Sequence, residues 1–228
     1  MRLAARLGLA IATGVCLCGL ARAQSSDDSL RIYAVDVVKT TPFEKPFTGY
    51  GIYLGRGTVI TAAHVIGRWG FLKNPRVLVA GLDLPAKILK EGSVDAVDLT
   101  LLAIDETRLP VALRLRQNPV CKRPPRPGQS VVAVVPEQTK RTTIISPLRI
   151  APALRQRYNT LTNEVAEASG SGIFDADRRC LLGIMSKRIQ KFDYQMMGDR
   201  PIAKPAGFAG YFVPAAEIAK FIPAEFRF

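Results

Sequence analysis

His64 is the only histidine among 228 residues. Imidazole titrates near neutral pH without outside help, which makes it the usual general base for a weak nucleophile. It stands in Thr61-Ala62-Ala63-His64-Val65, directly after the apolar run Thr58-Val59-Ile60. A histidine-based metal cluster is excluded by the count, because such sites draw on several ligands. Two further segments complete a chemistry. In Asp98-Leu99-Thr100-Leu101-Leu102 an acid precedes an apolar run, which sets a carboxylate at the lip of a buried strand. There it can hold one imidazole tautomer and stabilise the imidazolium. Asp95 is the competing acid, three residues earlier and with no strand immediately behind it. In Glu167-Ala168-Ser169-Gly170-Ser171-Gly172-Ile173-Phe174-Asp175 a turn of small residues feeds a strand. Such a turn exposes a serine hydroxyl and gathers backbone N–H groups toward a developing oxyanion. Ser169 and Ser171 both lie in it.

The elements that must position these groups read as β-structure. Short runs rich in Val, Ile, Leu, Tyr and Thr occur at Tyr33–Val38, Gly51–Leu54, Thr58–Thr61, Arg76–Ala80, Leu99–Ile104, Val131–Val135, Thr142–Ile145, Leu181–Met185 and Gly210–Val213, with Gly and Pro between them. No long amphipathic helices alternate with them, which disfavours a parallel α/β sheet and favours an all-β barrel or sandwich. One helix is expected at the end, started by Pro214, with Ile218, Phe221 and Ile222 on one face and Pro223 as its stop. Asn118 to Gly128 holds four prolines and three basic residues, which bars a central strand there and predicts a linker between two halves.

The first 23 residues read as a secretory signal peptide: Arg2 and Arg6, an apolar stretch from Leu7 to Leu20, then Ala21-Arg22-Ala23 before Gln24. The apolar stretch falls short of the roughly 20 residues that span a bilayer, which argues against a retained anchor. Taking 23 residues from the 228 leaves 205, enough for one sizeable domain or two small ones. Three of the 32 basic residues lie in the removed segment, so 29 remain against 19 acidic, a balance of +10. The charge is scattered and lacks interleaved aromatics, so no nucleic-acid partner is expected. Solubility and a loose attraction to anionic surfaces or substrates account for it; a basic envelope protein that binds anionic polymers is the weaker alternative. Cys121 and Cys180 are the thiols left after cleavage, and an exported chain is expected to join them. Closing that loop of about 60 residues is worth roughly 4 kcal/mol in the chain-entropy model.

Together the three segments resemble the trypsin-like (chymotrypsin-fold) serine peptidases, nearest the exported bacterial HtrA-type branch, here with no appended PDZ domain. Thr61-Ala62-Ala63-His64 matches T-A-A-H, Asp98-Leu99-Thr100-Leu101-Leu102 matches D-[IL]-A-[LV]-L, and Ser169-Gly170-Ser171 with Ile173-Phe174 matches the segment that carries the nucleophile. Gly128–Ala133 resembles the strand opening the second barrel, Leu182–Ser186 the strand that binds substrate backbone, and Gly210–Pro214 the closing strand beside the specificity pocket. The resemblance implies two antiparallel six-stranded β-barrels and a short C-terminal helix, divided as signal peptide 1–23, first barrel 24–117, linker 118–128 and second barrel 129–228. It implies an endopeptidase acting on polypeptides through His64, Asp98 and Ser169, with no metal or organic cofactor, in the periplasm or outside the cell. Ser171 is the rival nucleophile. Backbone N–H groups of Glu167 and Ser169 are the implied oxyanion donors, and Ser186, Lys187, Arg188 and Tyr211 the implied substrate contacts. The family usually has glycine where this chain has Glu167, so a protease-fold peptide binder with little catalysis is the alternative.

Overall fold

The structure is a computed structural model, and it describes residues 26–41, 44–67, 74–163, 169–197 and 199–226. The signal-peptide reading and Glu167 therefore lie outside the described residues. Two closed barrels of six antiparallel strands make up the molecule. The first is built from β1 (Ala34–Thr41), β2 (Glu44–Gly55), β3 (Thr58–Thr61), β4 (Arg76–Val79), β5 (Leu82–Glu91) and β6 (Thr100–Ile104). A one-turn helix α1 (Ala63–Ile66) follows β3, and another, α2 (Val111–Arg114), follows β6. The second barrel holds β7 (Ser130–Val134), β8 (Thr139–Ile145), β9 (Leu161–Thr162), β10 (Gly172–Asp175), β11 (Leu181–Met197) and β12 (Arg200–Pro214), and the chain then enters α3 (Ala215–Phe221).

Local chemistry explains the tight connections. Ala80 and Gly81 both take positive φ (50° and 77°) and join β4 to β5, the two-residue turn whose twist matches flanking antiparallel strands. The connection from β2 to β3 runs through Gly55, Arg56 and Gly57, all at positive φ, and two of the three lack the Cβ that resists it. The first ring runs β1-β2-β3-β6-β5-β4 and the second β10-β11-β12-β9-β8-β7, so every strand has two neighbours within its ring.

The barrels are not separate cores. One apolar cluster joins Val35, Ile52, Tyr53, Val59 and Leu101 of the first barrel to Val132, Phe174, Ile184 and Val213 of the second. Gly172 marks one close approach: a Cβ there would meet Ile52 Cδ1 at 2.6 Å. Helix α3 returns to the first barrel, with Ile218 and Phe221 buried in the same cluster and Lys90 Nζ 4.7 Å above the Phe221 ring. The N-terminal 3-10 turn Ser26–Tyr33 ties the other way, since Asp27 pairs with Arg141 at 2.9 Å and Arg31 Nε donates to Pro136 O at 2.8 Å. Cys121 and Cys180 form a disulfide with their Cα atoms 5.1 Å apart, fastening the chain between the barrels to the start of β11.

The expected strands all appear, several of them longer than their apolar runs. Residues 82–91 read poorly as a strand because Pro85 and alternating charges interrupt them, yet they close the first barrel. The hairpin of β11 and β12 extends to Met197 and Arg200, far past the apolar run at Leu181–Met185. The terminal helix has the expected buried face, and Pro214 is its N-cap in extended conformation.

Candidate active site

Strand β3 delivers the chain to Ala62, which is extended (φ −74°, ψ 141°), and α1 then winds one turn. Ala63, Val65 and Ile66 are buried, so the turn is anchored on three sides. His64 faces the remaining direction, with its side chain 29% exposed. Its backbone N–H donates to Asp98 Oδ1 at 3.0 Å, and its ring Nδ1 lies 2.8 Å from Asp98 Oδ2.

Asp98 is buried two residues before β6. Burial alone would push its carboxyl up. The hydrogen bonds from the His64 ring and the Ser186 hydroxyl, the His64 charge and the His64 backbone N–H outweigh burial and hold it below the usual carboxylate value. An ionised carboxylate can only accept, so His64 Nδ1 must carry the proton of their hydrogen bond. In the neutral imidazole this tautomer leaves Nε2 with a free lone pair, the state a general base requires. Asp95 is exposed, and its backbone carbonyl accepts from Arg157 Nη2 at 2.9 Å. Of the two acids, only Asp98 meets the imidazole.

Ser169 and Gly170 form a turn held from both barrels. Tyr50 N–H of β2 donates to Ser169 O at 2.9 Å, and Gly170 N–H donates to Met185 O of β11 at 2.9 Å. Gly170 has φ +87°, and a Cβ there would collide with the Tyr50 carbonyl oxygen. Tyr50 O in turn accepts the Thr61 hydroxyl at 2.6 Å, three residues before His64. The serine turn and the histidine turn thus rest on the same stretch of β2. Ser169 is partly exposed, whereas Ser171 is 2% exposed and its carbonyl is tied to Met185 N–H. Among the described residues no hydrogen bond joins the Ser169 hydroxyl to His64.

The residues expected to contact substrate have mixed placements. Between Met185 and Lys187 the pairing of β11 with β12 shifts register, and Ser186 is the extra residue. Such a bulge re-aims a side chain. Here the Ser186 hydroxyl donates to Asp98 Oδ2 at 2.5 Å, across the barrel boundary. No local signal at Ser186 announces this contact, because a bulge is set by strand pairing. Lys187 Nζ donates to Val94 O at 3.2 Å and lies 5.7 Å from the Tyr158 ring. Arg188 stacks on Phe208 at 4.6 Å. Tyr211 meets Tyr158 edge-on, 4.8 Å between centroids. Burial first, then the neighbouring Tyr158, Asp98 and Glu217, push its phenol up to about 12 despite the opposing Arg157. A cavity of about 150 Å³ opens among Val97, Asp98, Tyr158, Ser186, Lys187 and Tyr211. Among the described residues no group of three or more His, Cys, Asp or Glu side chains could hold a metal ion.

No family model matches the chain, and no curated protein does. Solved structures do match. The active form of the Rv3671c protease from M. tuberculosis aligns with a TM-score of 0.57 at 18% identity, over 85% of this chain and 81% of that one. The MamO protease domain from Magnetospirillum magneticum aligns at 0.54 and 18%, over 85% of this chain and 97% of that one. Kallikrein-related peptidase 10 in complex with Zn2+ aligns at 0.55 and 15%, over 86% of this chain and 96% of that one. At these identities the likeness is one of fold, and the chain has the trypsin-like two-barrel fold of these three proteins.

Proposed function

We propose that this chain is an exported serine endopeptidase of trypsin-like type. The observation that carries the reading is the His64–Asp98 pair, which in the neutral imidazole puts the free lone pair on Nε2, together with a serine in a glycine-built turn seated on β2. Ser169 Oγ attacks the carbonyl carbon of a peptide bond while His64 Nε2 takes its proton. The carbonyl oxygen becomes an oxyanion, which the backbone N–H groups of Glu167 and Ser169 stabilise. The C–N bond then breaks, His64 passes its proton to the leaving amine, and an acyl-enzyme remains. Water repeats the sequence: His64 takes its proton, the Oγ–C bond breaks, and Ser169 regains its hydrogen as the acid product leaves. Asp98 holds the imidazole and balances its positive charge. The burial of Ser171 supports Ser169 as the nucleophile. Ser186, Lys187, Arg188 and Tyr211 border the substrate path.

Export is supported by the N-terminal sequence and by the Cys121–Cys180 disulfide, which suits an oxidising compartment. Among the described residues no helix is long and apolar enough to cross a membrane. A second reading, a peptide-binding protein with an idle triad, is favoured by Glu167 at the usual glycine, where a carboxylate opposes the oxyanion. Hydrolysis of a quenched fluorescent peptide library by the mature protein separates the two. The peptidase reading expects turnover that His64→Ala abolishes. No turnover, or turnover that survives His64→Ala, contradicts it.

A further inference from the structure

A second cavity, near the linker, shares no residue with the one beside Asp98. It measures about 430 Å³ and lies between the segment entering the second barrel and the terminal helix. Leu54, Cys121, Ala215, Ala219 and Ile222 make its walls largely apolar, and Asn118 completes them. Its rim reaches solvent at the exposed Lys122 and Ala219.

Asn118 is the unusual member. It is 2% exposed, and its backbone N–H is satisfied by Leu54 O at 2.9 Å. Among the described residues neither its side-chain Oδ1 nor its Nδ2 has a hydrogen-bond partner. Buried amide groups are nearly always paired, so one with both ends free calls for an explanation. A bridging water is a poor one for the whole space. The cavity far exceeds one water, and apolar walls give additional waters few partners. Its volume falls instead in the range of about 300–1,000 Å³ typical of small-ligand sites, which pair apolar walls with a few placed polar groups.

We propose that this cavity is a second binding site, for an apolar ligand that carries a neutral amide or peptide group. An Asn side chain offers a donor and an acceptor side by side, the complement of the C=O and N–H of another amide. The hydrocarbon part of the ligand covers Leu54, Ala215, Ala219 and Ile222. Anionic or cationic ligands find no buried counter-charge here, since Lys122 stands at the exposed rim. Helix α3 separates the two cavities, giving Glu217 to one and Ala219 to the other.

The test uses N-acetyl-leucine N-methylamide, titrated into the mature chain by 1H–15N NMR. Expected is saturable binding that shifts the Asn118 side-chain NH2 signals. Asn118→Leu, which removes the free amide and keeps the cavity apolar, weakens that binding at least tenfold. Ala219→Trp, from the exposed side of α3, blocks the mouth and does the same with an unchanged melting temperature. Ser169→Ala leaves the binding as it was, so this result stands or falls apart from the peptidase reading. No saturation up to the solubility of the probe overturns the proposal, as does an affinity unchanged in both Asn118→Leu and Ala219→Trp.

Discussion

Ser186, from the second barrel, donates its hydroxyl proton to Asp98 of the first at 2.5 Å. The same Oδ2 receives His64 Nδ1 at 2.8 Å, so one buried oxygen is shared between the two barrels. A hydrogen bond to a charged group is worth about 1.5–3 kcal/mol, and here it acts on the residue that holds the His64 ring, the proposed base. Ser186→Ala is therefore expected to lower kcat about tenfold while KM stays within twofold. Ser186→Thr, which keeps the hydroxyl, recovers most of the loss. A KM effect without a kcat effect would place Ser186 on the substrate instead.

Acid sensitivity follows from Asp98. Its carboxyl titrates below its ordinary value of 3.8 in the folded chain, because its hydrogen bonds and the His64 charge outweigh burial. A depressed folded value contributes stability that is complete above the unfolded value and is lost as pH falls through 3.8 toward the folded one. Asp98→Asn removes that dependence. Urea denaturation from pH 6 to pH 3 should show the wild-type advantage over Asp98→Asn shrinking as acid is added. At pH 7 the same variant should lose roughly 10⁴ in kcat through the wrong imidazole tautomer.

Gly170 tests how the Ser169 turn is seated. Its φ of +87° and its contact with the Tyr50 carbonyl leave no room for a Cβ. Gly170→Ala should cost on the order of 3 kcal/mol of stability in urea, from backbone strain and the lost packing of the turn on β2. Gly128 also has positive φ (+82°), but a Cβ there meets nothing within 4 Å. Gly128→Ala should therefore cost clearly less, and equal losses at the two sites would count against the close approach.

Much of this site was legible in the sequence because its groups announce themselves locally. A unique histidine after an apolar strand, an acid before one, and a serine in a turn of small residues carry their own chemistry, and Asp98 does meet His64. Apolar runs such as Thr58–Thr61 and Leu99–Ile104 marked strands whose residues are nearly all buried. What stayed hidden depends on pairing. Ser186 reads as one more polar residue in a strand until the register shift against β12 turns it toward Asp98. Tyr50 gives no sign that its N–H and C=O seat the serine turn, since both contacts are long-range backbone geometry. The outer part of the β11–β12 hairpin has no apolar alternation to reveal it. Its residues are largely exposed on both faces, and the ladder of backbone hydrogen bonds defines it.

The central claim is that Ser169, activated by His64, is the nucleophile. The most direct measurement is intact mass and peptide mapping after exposure of the mature protein to a fluorophosphonate. The account predicts one adduct per chain, located on Ser169, absent from Ser169→Ala and reduced at least a hundredfold in His64→Ala. An adduct on Ser171, or labelling of wild type no greater than of Ser169→Ala, would contradict it.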